Sequence, residues 1–230
     1  TGMVGAILEH ARYNQASIIA SLVMGGSTGP ITIAGGLVLQ NVEVLAGVVL
    51  AQMVNPGAPV IYGSASTITD MKTAALTVGS SDYTKYIGGT AQLARYYGLP
   101  SRGGGVITDS LVTDVQAGYE SMMTFMTSMN YGINFQLHCA GLLENYMTMS
   151  YEKFVVDEEI LGMVKNCHRE IEVNEDTLAE DLIDEVGHGG HYLAESHTLN
   201  HMKDHREPII NNRSGYGSVD EITTAAERAN

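Results

Sequence analysis

The amino-acid sequence predicts an α/β fold made of strand–helix units joined in series. Strand-like apolar segments alternate four times with helical segments, as expected when helices connect parallel strands. The sequence between them gives no signal for an antiparallel hairpin. Four consecutive units favour half of an eight-stranded βα barrel of the TIM type. A doubly wound sheet is the alternative, but no G-x-G-x-x-G motif follows the first strand.

The first unit is preceded by a predicted helix over residues 3–13. Its strand is expected at 17–24 and its helix at 34–54, and Gly-Gly-Ser-Thr-Gly-Pro at 25–30 is typical of the loop between them. The helical window contains Gln, Asn and Glu, and one Glu near the centre of a membrane span would cost roughly 2.5 kcal/mol or more. A helix buried in the protein is therefore favoured over a membrane-spanning one.

The second unit starts after a Pro-Gly turn. Its strand is predicted at 59–62, followed by a loop at 63–69, a weaker helical stretch and a helix at 82–97. The remaining two units complete the predicted half barrel.

The third unit follows a run of three glycines, with its strand predicted at 105–108 and its helix at 111–129. The fourth strand is predicted at 133–137, and a loop at 138–145 follows it. We assign residues 1–148 to the half barrel on this basis.

Residues 149–230 are predicted to form an acidic helical extension that packs on the barrel. Helices are expected at 151–167 and 175–186, followed by an irregular His-rich segment. A last helix is predicted from Asp220, because Ser218 and Glu221 have the spacing of a capping box. The extension contains 18 of the 26 carboxylates of the chain and 7 of its 12 Lys and Arg residues.

Composition limits the classes of function. The 230 residues are 44% hydrophobic, and the formal net charge of −14 disfavours nucleic-acid binding. Two cysteines without a disulfide framework indicate a cytoplasmic protein. The chain starts with Thr rather than Met, and a predicted helix is already in progress at residues 3–13, so we expect a fragment that lacks the first four units. A half barrel has two open sheet edges, which favours a homo-oligomer.

Several motifs resemble the trimethylamine methyltransferase family in order and spacing, and together they cover nearly the whole chain. The resemblance implies a βα barrel that moves a methyl group from trimethylamine to the Co(I) corrinoid (cobalamin) of a partner corrinoid protein, in methanogenesis from methylamines. It implies no cofactor bound by this chain itself. The motifs are Gly-Gly-Ser-Thr-Gly-Pro at 25–30, Leu-Pro-Ser-Arg-Gly-Gly-Gly-Val-Ile-Thr-Asp-Ser at 99–110, Asp-Val-Gln-Ala-Gly-Tyr-Glu at 114–120, Glu-Val-Gly-His-Gly-Gly-His-Tyr-Leu at 185–193 and Pro-Ile-Ile-Asn-Asn-Arg at 208–213.

In a βα barrel, the reacting groups lie on loops that follow the strands. The strongest candidates are Asp109 and Glu120, because a carboxylate in a dry pocket stabilises a methylammonium cation. Tyr62 is predicted to offer an aromatic face to the same cation. The further substrate- or corrinoid-facing candidates are Ser27, Thr28, Ser64, Gly103, Gly104, Gly105, Ser110, Asp114, Gln116 and His138.

Several of these residues also have a purely structural interpretation. Ser27 and Thr28 can cap the next helix, the glycine triplet can relieve a steric clash with a neighbouring strand, and Asp109 can cap the helix that follows it. His138 ends the fourth strand and points either to the mouth of the barrel or into its core.

Family members that act on trimethylamine are associated with pyrrolysine, whose imine activates the amine. The resemblance places that residue in the loop 108–113, at Leu111, which cannot activate an amine. Members that act on quaternary amines such as glycine betaine lack pyrrolysine, because their nitrogen is already cationic. The alternative substrate is therefore a quaternary amine, although such members tend to have a histidine in the 101–103 region and this chain has none there.

Five histidines lie between His188 and His205, and three of them have i, i+4, i+8 spacing, which predicts one helix face. A metal-dependent hydrolase that uses this cluster is a second hypothesis. We expect a structural role instead, with no metal, because the segment follows the last barrel strand and contains a glycine pair. A non-catalytic binding domain on the same barrel is the third hypothesis.

Overall fold

Helices and strands alternate along the first two thirds of the chain. The structure is a computed structural model that describes residues 2–213, 215 and 223–229. Its α-helices are α1 Gly2–Arg12, α2 Ile33–Val54, α3 Ser81–Tyr96, α4 Val115–Asn130, α5 Tyr151–Cys167, α6 Glu175–Leu178, α7 Glu180–Val186, α8 Ser196–His201 and α9 Ala225–Arg228. Its strands are β1 Ser17–Ser21, β2 Met24–Gly25, β3 Val60–Ser64, β4 Thr67–Thr69, β5 Leu76–Thr77, β6 Ser101–Arg102, β7 Leu142–Leu143 and β8 Thr148–Met149.

The main sheet has three parallel strands in the order β1-β3-β6. A single parallel bridge between Arg102 and Phe135 marks the place of a fourth strand beside β6. The strands therefore lie side by side in the order in which they occur along the chain, and each connection between neighbouring strands contains a helix. This confirms the predicted α/β class with parallel strands joined by helices.

One face of the sheet is covered by α2 and α3. Ile19 of β1 and Tyr62 of β3 pack there against Val44 and Ala94 in a buried apolar cluster. Gln40 of α2, which is fully buried, joins the layers through polar contacts. Apolar burial of this kind stabilises a fold by about 25 cal/mol for each Å² removed from water.

The opposite face, here called the open face, carries the alternate residues of each strand. The register pairs Ala20 with Gly63 and Gly63 with Arg102, so these three residues point to the same side. Ile18 lies on the same face and is 41% exposed, whereas its neighbour Ile19 is 6% exposed. The strand β1 therefore presents apolar side chains to both of its faces, as parallel strands of α/β proteins do.

The helix α5 packs against α4 through Phe125, Ile160 and Val164. Beneath this contact the Lys153 ammonium group forms a fully buried ion pair with Asp157. Lys153 also donates to the Ser121 hydroxyl at 2.9 Å, and Asp157 accepts from the backbone N–H of Gly141 at 2.8 Å. Burial raises the pKa of Asp157 to about 6, although Lys153 opposes the shift. The hydrogen bonds offset the desolvation that a buried pair incurs.

The C-terminal segment is held against α5 by Glu159. Its carboxylate accepts from the backbone N–H groups of Ile209 at 2.6 Å and Ile210 at 2.9 Å, and it pairs with Arg206. Burial alone would raise the pKa of Glu159, but the hydrogen bonds from Ile210, Arg206 and Ile209 outweigh it and lower the pKa. The charged form of Glu159 therefore fixes the path of residues 206–210.

The predicted third and fourth strands need correction. The third strand lies at β6, four residues before the predicted 105–108, because Gly104 and Gly105 have φ values of +64° and +142° that end the strand. Val106 and Ile107 are fully buried but lie outside the ladder. The predicted fourth strand, 133–137, is reduced to the bridge at Phe135.

Two small antiparallel pairs were also not predicted. The strand β4 pairs with β5 in the segment after β3, and β7 pairs with β8 in the segment after the bridge at Phe135. The weak helical stretch expected after residue 69 is therefore strand and turn. The predicted helix 175–186 is broken into α6 and α7 at Ala179, which has a left-handed φ of 51°.

The last predicted helix falls partly outside the described residues, and so do Ser218, Asp220 and Glu221. Within the described part, Thr224 caps the start of α9 through a capping box formed with Glu227.

The helix α2 is long and apolar enough to span a membrane by length and composition. It lies on the sheet, however, and three of its polar side chains bond inward. Glu43 accepts from Ser21 at 2.6 Å, Gln40 accepts from Ser64 at 2.6 Å, and Asn41 accepts from Tyr62 at 3.1 Å. These contacts favour the prediction of a helix that covers the sheet.

Candidate active site

Three loops meet at the carboxyl ends of the parallel strands, and Asp109 joins two of them. Its Oδ1 accepts from the backbone N–H of Val78 at 2.7 Å and of Gly79 at 2.9 Å. Burial raises the pKa of Asp109, against these hydrogen bonds, and the nearby Glu120 adds to the rise. A carboxylate in this position both organises the loops and places negative charge at the strand ends.

Glu120 is the second carboxylate of the site, and it projects from α4 toward the same loop. Its Oε2 accepts from the Thr108 hydroxyl at 2.7 Å and from the Asp109 N–H at 2.8 Å, while Gln116 donates to Oε1 at 3.0 Å. Gly79 packs directly on it, since a Cβ at that position would lie 2.2 Å from Oε2. Glu120 therefore acts as a positioning group behind Asp109.

Asp114 and Ser110 shape the start of α4. Asp114 is the N-cap residue and accepts from Ala117 N–H and from the Ser110 hydroxyl, each at 2.9 Å. The hydrogen bond from Ala117 is the main reason that the pKa of Asp114 is lowered. The helix starts at Val115, so the predicted segment 111–114 is loop. Leu111 lies at its tip and is 68% exposed.

Arg102 ends β6 on the open face, and its side chain is 7% exposed. Its Nη1 donates to the backbone carbonyl of Ser64 at 2.7 Å, whereas its buried Nε has no hydrogen-bond partner in the described part of the chain. It forms no salt bridge with any described carboxylate. A buried cation without an anion is costly, by several kcal/mol.

Aromatic side chains lie within electrostatic range of this cation. Tyr83 of α3 and Tyr146 influence each other's pKa, and the charge of Arg102 acts on both. The ring of His138 lies 4.6 Å from that of Tyr146, centroid to centroid. Burial lowers the pKa of His138, and the charge of Arg102 lowers it further. Both effects favour the neutral form of the imidazole.

The loop that carries these rings has an unusual backbone. His138, Glu144, Asn145 and Tyr146 all have positive φ values, between 50° and 75°. Such conformations cost about 1–3 kcal/mol each for residues other than glycine and cluster at functional sites. The buried Oδ1 of Asn145 also lacks a hydrogen-bond partner among the described residues.

Two glycines of the triplet 103–105 lie where a side chain would clash with neighbouring atoms. A Cβ on Gly104 would lie 1.7 Å from Ser128 Oγ, and one on Gly105 would lie 2.2 Å from the Leu137 carbonyl. The loop bonds to the next segment through Val106 N–H and the His138 carbonyl at 3.1 Å. Contacts within the protein therefore account for Gly104 and Gly105, whereas a Cβ on Gly103 would make only ordinary contacts at 3.8 Å.

Two other predicted site residues lie elsewhere. Tyr62 faces α2 and α3, where it is fully buried, donates to Asn41 and stacks with Tyr97. The prediction that its ring faces a cation is therefore wrong. The Ser64 hydroxyl also points to the helix layer and donates to Gln40, although the Ser64 carbonyl accepts from Arg102.

Ser27 and Thr28 lie in an exposed turn between β2 and α2. Thr28 Oγ1 accepts from the Met24 N–H at 2.9 Å, so it closes the turn. The helix itself is capped by Thr32, not by either of these residues.

The histidine-rich segment brings only part of its predicted face together. His197 and His201 lie on α8 with ring centroids 4.4 Å apart, whereas His205 lies beyond the end of the helix. Ligating atoms of Asp176, His197 and His201 lie within 4.8 Å of one another. His201 is already bonded to Asp204 at 2.6 Å and to Asp176 at 3.0 Å. These bonds account for the cluster as an exposed polar contact.

Comparison with known proteins identifies the family. A family model described as "Trimethylamine methyltransferase (MTTB)" matches residues 1–229. The chain belongs to the trimethylamine methyltransferase family. It is 52% identical over 215 residues to a protein named "Glycine betaine methyltransferase" from Desulfitobacterium hafniense (strain Y51), a match that covers 93% of this chain and 45% of the relative.

Other relatives carry the name of the family. The chain is 39% identical over 228 residues to "Trimethylamine methyltransferase MttB" from Methanosarcina barkeri (strain Fusaro / DSM 804), covering 96% of this chain and 46% of the relative. It is also 39% identical over 208 residues to the protein of that name from Desulfitobacterium hafniense (strain DSM 10664 / DCB-2), covering 90% and 42%. The chain thus spans about half the length of these curated relatives.

In this member of the trimethylamine methyltransferase family, the sequence reasoning missed three residues of the site. These are Arg102, Tyr83 and Tyr146, to which the sequence assigns no role. One signal was available for Arg102, since a charged residue directly before a glycine triplet at a strand end is unusual in an apolar sheet. Nothing in the sequence brings Tyr83 and Tyr146 together.

Proposed function

We propose that the full-length protein transfers a methyl group from a methylated amine to the Co(I) corrinoid of a partner corrinoid protein. The observation that carries this proposal is the match to the methyltransferase family over residues 1–229. The partly buried carboxylate of Asp109 and the nearby ring of Tyr146 support it. Carboxylates and aromatic faces together bind methylammonium cations.

We favour a quaternary amine of the glycine betaine type over trimethylamine. A neutral tertiary amine would leave as an amide anion after methyl transfer, so the nitrogen must be cationic beforehand. Leu111 occupies the position where the resemblance implies pyrrolysine, and it offers no group for activating an amine. The 52% identity to a protein named glycine betaine methyltransferase supports the same choice. Trimethylamine remains the second candidate because of the name of the family.

We assign roles to the chain's own residues as follows. Asp109 offers negative charge to the ammonium group, and Glu120 holds the loop that carries Asp109. Tyr83, Tyr146 and neutral His138 supply aromatic surface and exclude water. Exclusion of water strengthens the attraction between the cation and the carboxylate, because the local dielectric is lower.

The corrinoid, carried by its partner protein, supplies the cobalt that accepts the methyl group. The rim of the site fits such an approach, because it carries exposed apolar side chains. Leu111, Val112, Val115 and Tyr119 are all at least 59% exposed. No residue of this chain is assigned as a cobalt ligand.

We infer that the parallel strands are part of a βα barrel in the full-length protein. The apolar open face of β1 supports this, and so does a groove of about 760 Å³ along the edge of β1, lined by α1 and α2. Further barrel strands would cover both. The division into a half barrel at 1–148 and a helical extension at 149–230 is part of the same proposal.

We also retain a cytoplasmic homo-oligomer as a proposal. Val38, Val42 and Val49 on the outer side of α2 are each more than half exposed, and contiguous apolar surface of this kind marks association sites. Sedimentation of the full-length protein tests the oligomeric state, and a monomer at all concentrations contradicts it.

The function is tested with the full-length protein and a reduced corrinoid protein. Methylation of the corrinoid, followed by its visible absorbance, is expected with glycine betaine or with trimethylamine. Controls omit the corrinoid protein or the amine. Transfer at full rate without any corrinoid, or no transfer from either amine, would contradict the proposal.

A further inference from the structure

Arg102 is a buried charged residue of the site whose charge the proposed reaction does not use. It is buried and lacks a described carboxylate partner, and its Nε has no described acceptor. Buried charges are normally paired, because an isolated one costs far more than an isolated polar group. A ligand that brings its own anion would remove this cost.

The position of Arg102 fits a ligand at the strand ends. It ends β6 on the open face, beside Gly63 and Ala20, which have little or no side chain. One edge of its guanidinium is fixed, because Nη1 donates to the Ser64 carbonyl at 2.7 Å. The edge that contains Nε therefore remains available for a ligand. That edge has the geometry that binds a carboxylate with two parallel hydrogen bonds.

The surroundings bring both signs of charge near one ring. The loop that carries Tyr146 lies beside Asp109, because the Asn145 N–H donates to the Thr108 carbonyl at 3.4 Å, and the charge of Arg102 also acts on Tyr146. His138 adds a further ring, and the positive charge of Arg102 favours its neutral form. A small zwitterion with a quaternary ammonium group at one end and a carboxylate at the other matches this arrangement. Trimethylamine and choline match only half of it.

We propose that Arg102 binds the carboxylate of a betaine-type substrate and thereby selects zwitterionic quaternary amines over amines without a carboxylate. The inference rests on the proposed function, since it names the substrate class of the same site. Arg102 is a specificity-determining residue in this proposal and takes no part in methyl transfer itself.

The test uses the full-length protein and compares the wild type with Arg102→Met and Arg102→Lys. Binding is measured by calorimetry with glycine betaine, with choline, and with 3,3-dimethylbutyrate, the carbon isostere that keeps the carboxylate but has no positive charge. Arg95→Met is the matched control, because Arg95 is an exposed arginine that donates to the backbone carbonyl of Tyr131.

We expect Arg102→Met to weaken the binding of glycine betaine and of 3,3-dimethylbutyrate about 10- to 100-fold, as the loss of charge-assisted hydrogen bonds implies. The affinity for choline should change by less than about threefold. Arg102→Lys should recover part of the lost affinity, because lysine keeps the positive charge but cannot form the two parallel hydrogen bonds of a guanidinium group. Arg95→Met should bind all three ligands like the wild type.

Equal losses for glycine betaine and choline would show a merely structural role and overturn the inference, and so would unchanged betaine affinity. If Arg102→Met does not fold, the ratio of betaine to choline affinity in Arg102→Lys decides, and an unchanged ratio overturns the inference. The two proposals fail separately. Arg102-dependent binding without methyl transfer would refute the proposed reaction alone, whereas transfer from trimethylamine without betaine binding would refute the inference alone.

Discussion

Replacing Asp109 in two ways separates its structural role from its charge. Asp109→Ala removes the acceptor of the Val78 and Gly79 N–H groups, whereas Asp109→Asn keeps an oxygen at nearly the same place and removes only the charge. The two variants therefore differ mainly in loop organisation, and both lack the carboxylate that we assign to the ammonium group.

The expected stability loss follows from these contacts. Val78 is fully buried, so its N–H has no water to replace the lost acceptor. Each unsatisfied donor costs about 1–3 kcal/mol, which gives about 2–6 kcal/mol for Asp109→Ala. Asp109→Asn should lose about 1 kcal/mol or less, because the amide oxygen still accepts and the repulsion with Glu120 disappears.

The expected loss of activity is different. Both variants should lower the rate of corrinoid methylation at least tenfold, since about 1.4 kcal/mol of lost transition-state stabilisation has that effect. Urea unfolding gives the stabilities, and the visible absorbance of the corrinoid protein gives the rates, both on the full-length protein. A stable Asp109→Asn variant that works at the wild-type rate would refute the assigned role and move the site to another loop.

Three further predictions concern the rest of the chain. Lys153→Met should destabilise the protein by about 3–5 kcal/mol in urea unfolding, because it leaves Asp157 buried and unpaired, and the double variant Lys153→Met/Asp157→Leu should recover most of that loss. The folded-state pKa of Glu159 lies below its usual 4.5, so its contribution to folding stability is present above pH 4.5 and is lost as the pH falls through the folded-state pKa. Amide hydrogen exchange at residues 206–210 should therefore become faster in acid, and this pH dependence should disappear in Glu159→Gln. Metal analysis of the purified protein should find no stoichiometric zinc, and zinc that disappears when residues of the His188–His205 segment are replaced would contradict the structural role.

The helices were predicted well because their signals are local. The helix α5 has the predicted bounds 151–167, and α2 and α3 start one residue earlier than expected. Their capping residues, Thr32 for α2 and Ser80 for α3, act within one turn and are visible in the sequence. The parallel order of the strands was also confirmed, because it follows from the alternation of strands and helices.

The strand bounds were predicted poorly because pairing depends on distant residues. Val106 and Ile107 have strand-like composition, yet they are buried without a ladder because Gly104 and Gly105 turn the chain just before them. The two-residue strand β6 contains Ser and Arg, which carry no strand signal. Only its neighbour β3 makes it a strand.

The position of the site depends on the same distant contacts. The sequence predicts Asp109 directly after a strand at 105–108, whereas β6 ends at Arg102 and Asp109 lies in the loop that leads to α4. It could not place Tyr83, Tyr146 and His138 near Arg102, because these four residues come from three segments that only the fold brings together. The sequence also placed Tyr62 on the wrong face, since alternation within a strand does not say which face the helices cover.

The charges of the site bear on the choice of substrate more strongly than the names of the relatives do. A site built only for trimethylamine needs negative charge and aromatic surface, and a buried guanidinium would repel its cation. Arg102 would then lower affinity unless an anion neutralised it, yet no described carboxylate does so. A betaine supplies that anion as part of the substrate. Under the proposed function, the buried arginine and Leu111, which stands where the resemblance implies pyrrolysine, favour the same class of molecule on independent grounds, one electrostatic and one concerned with the leaving group.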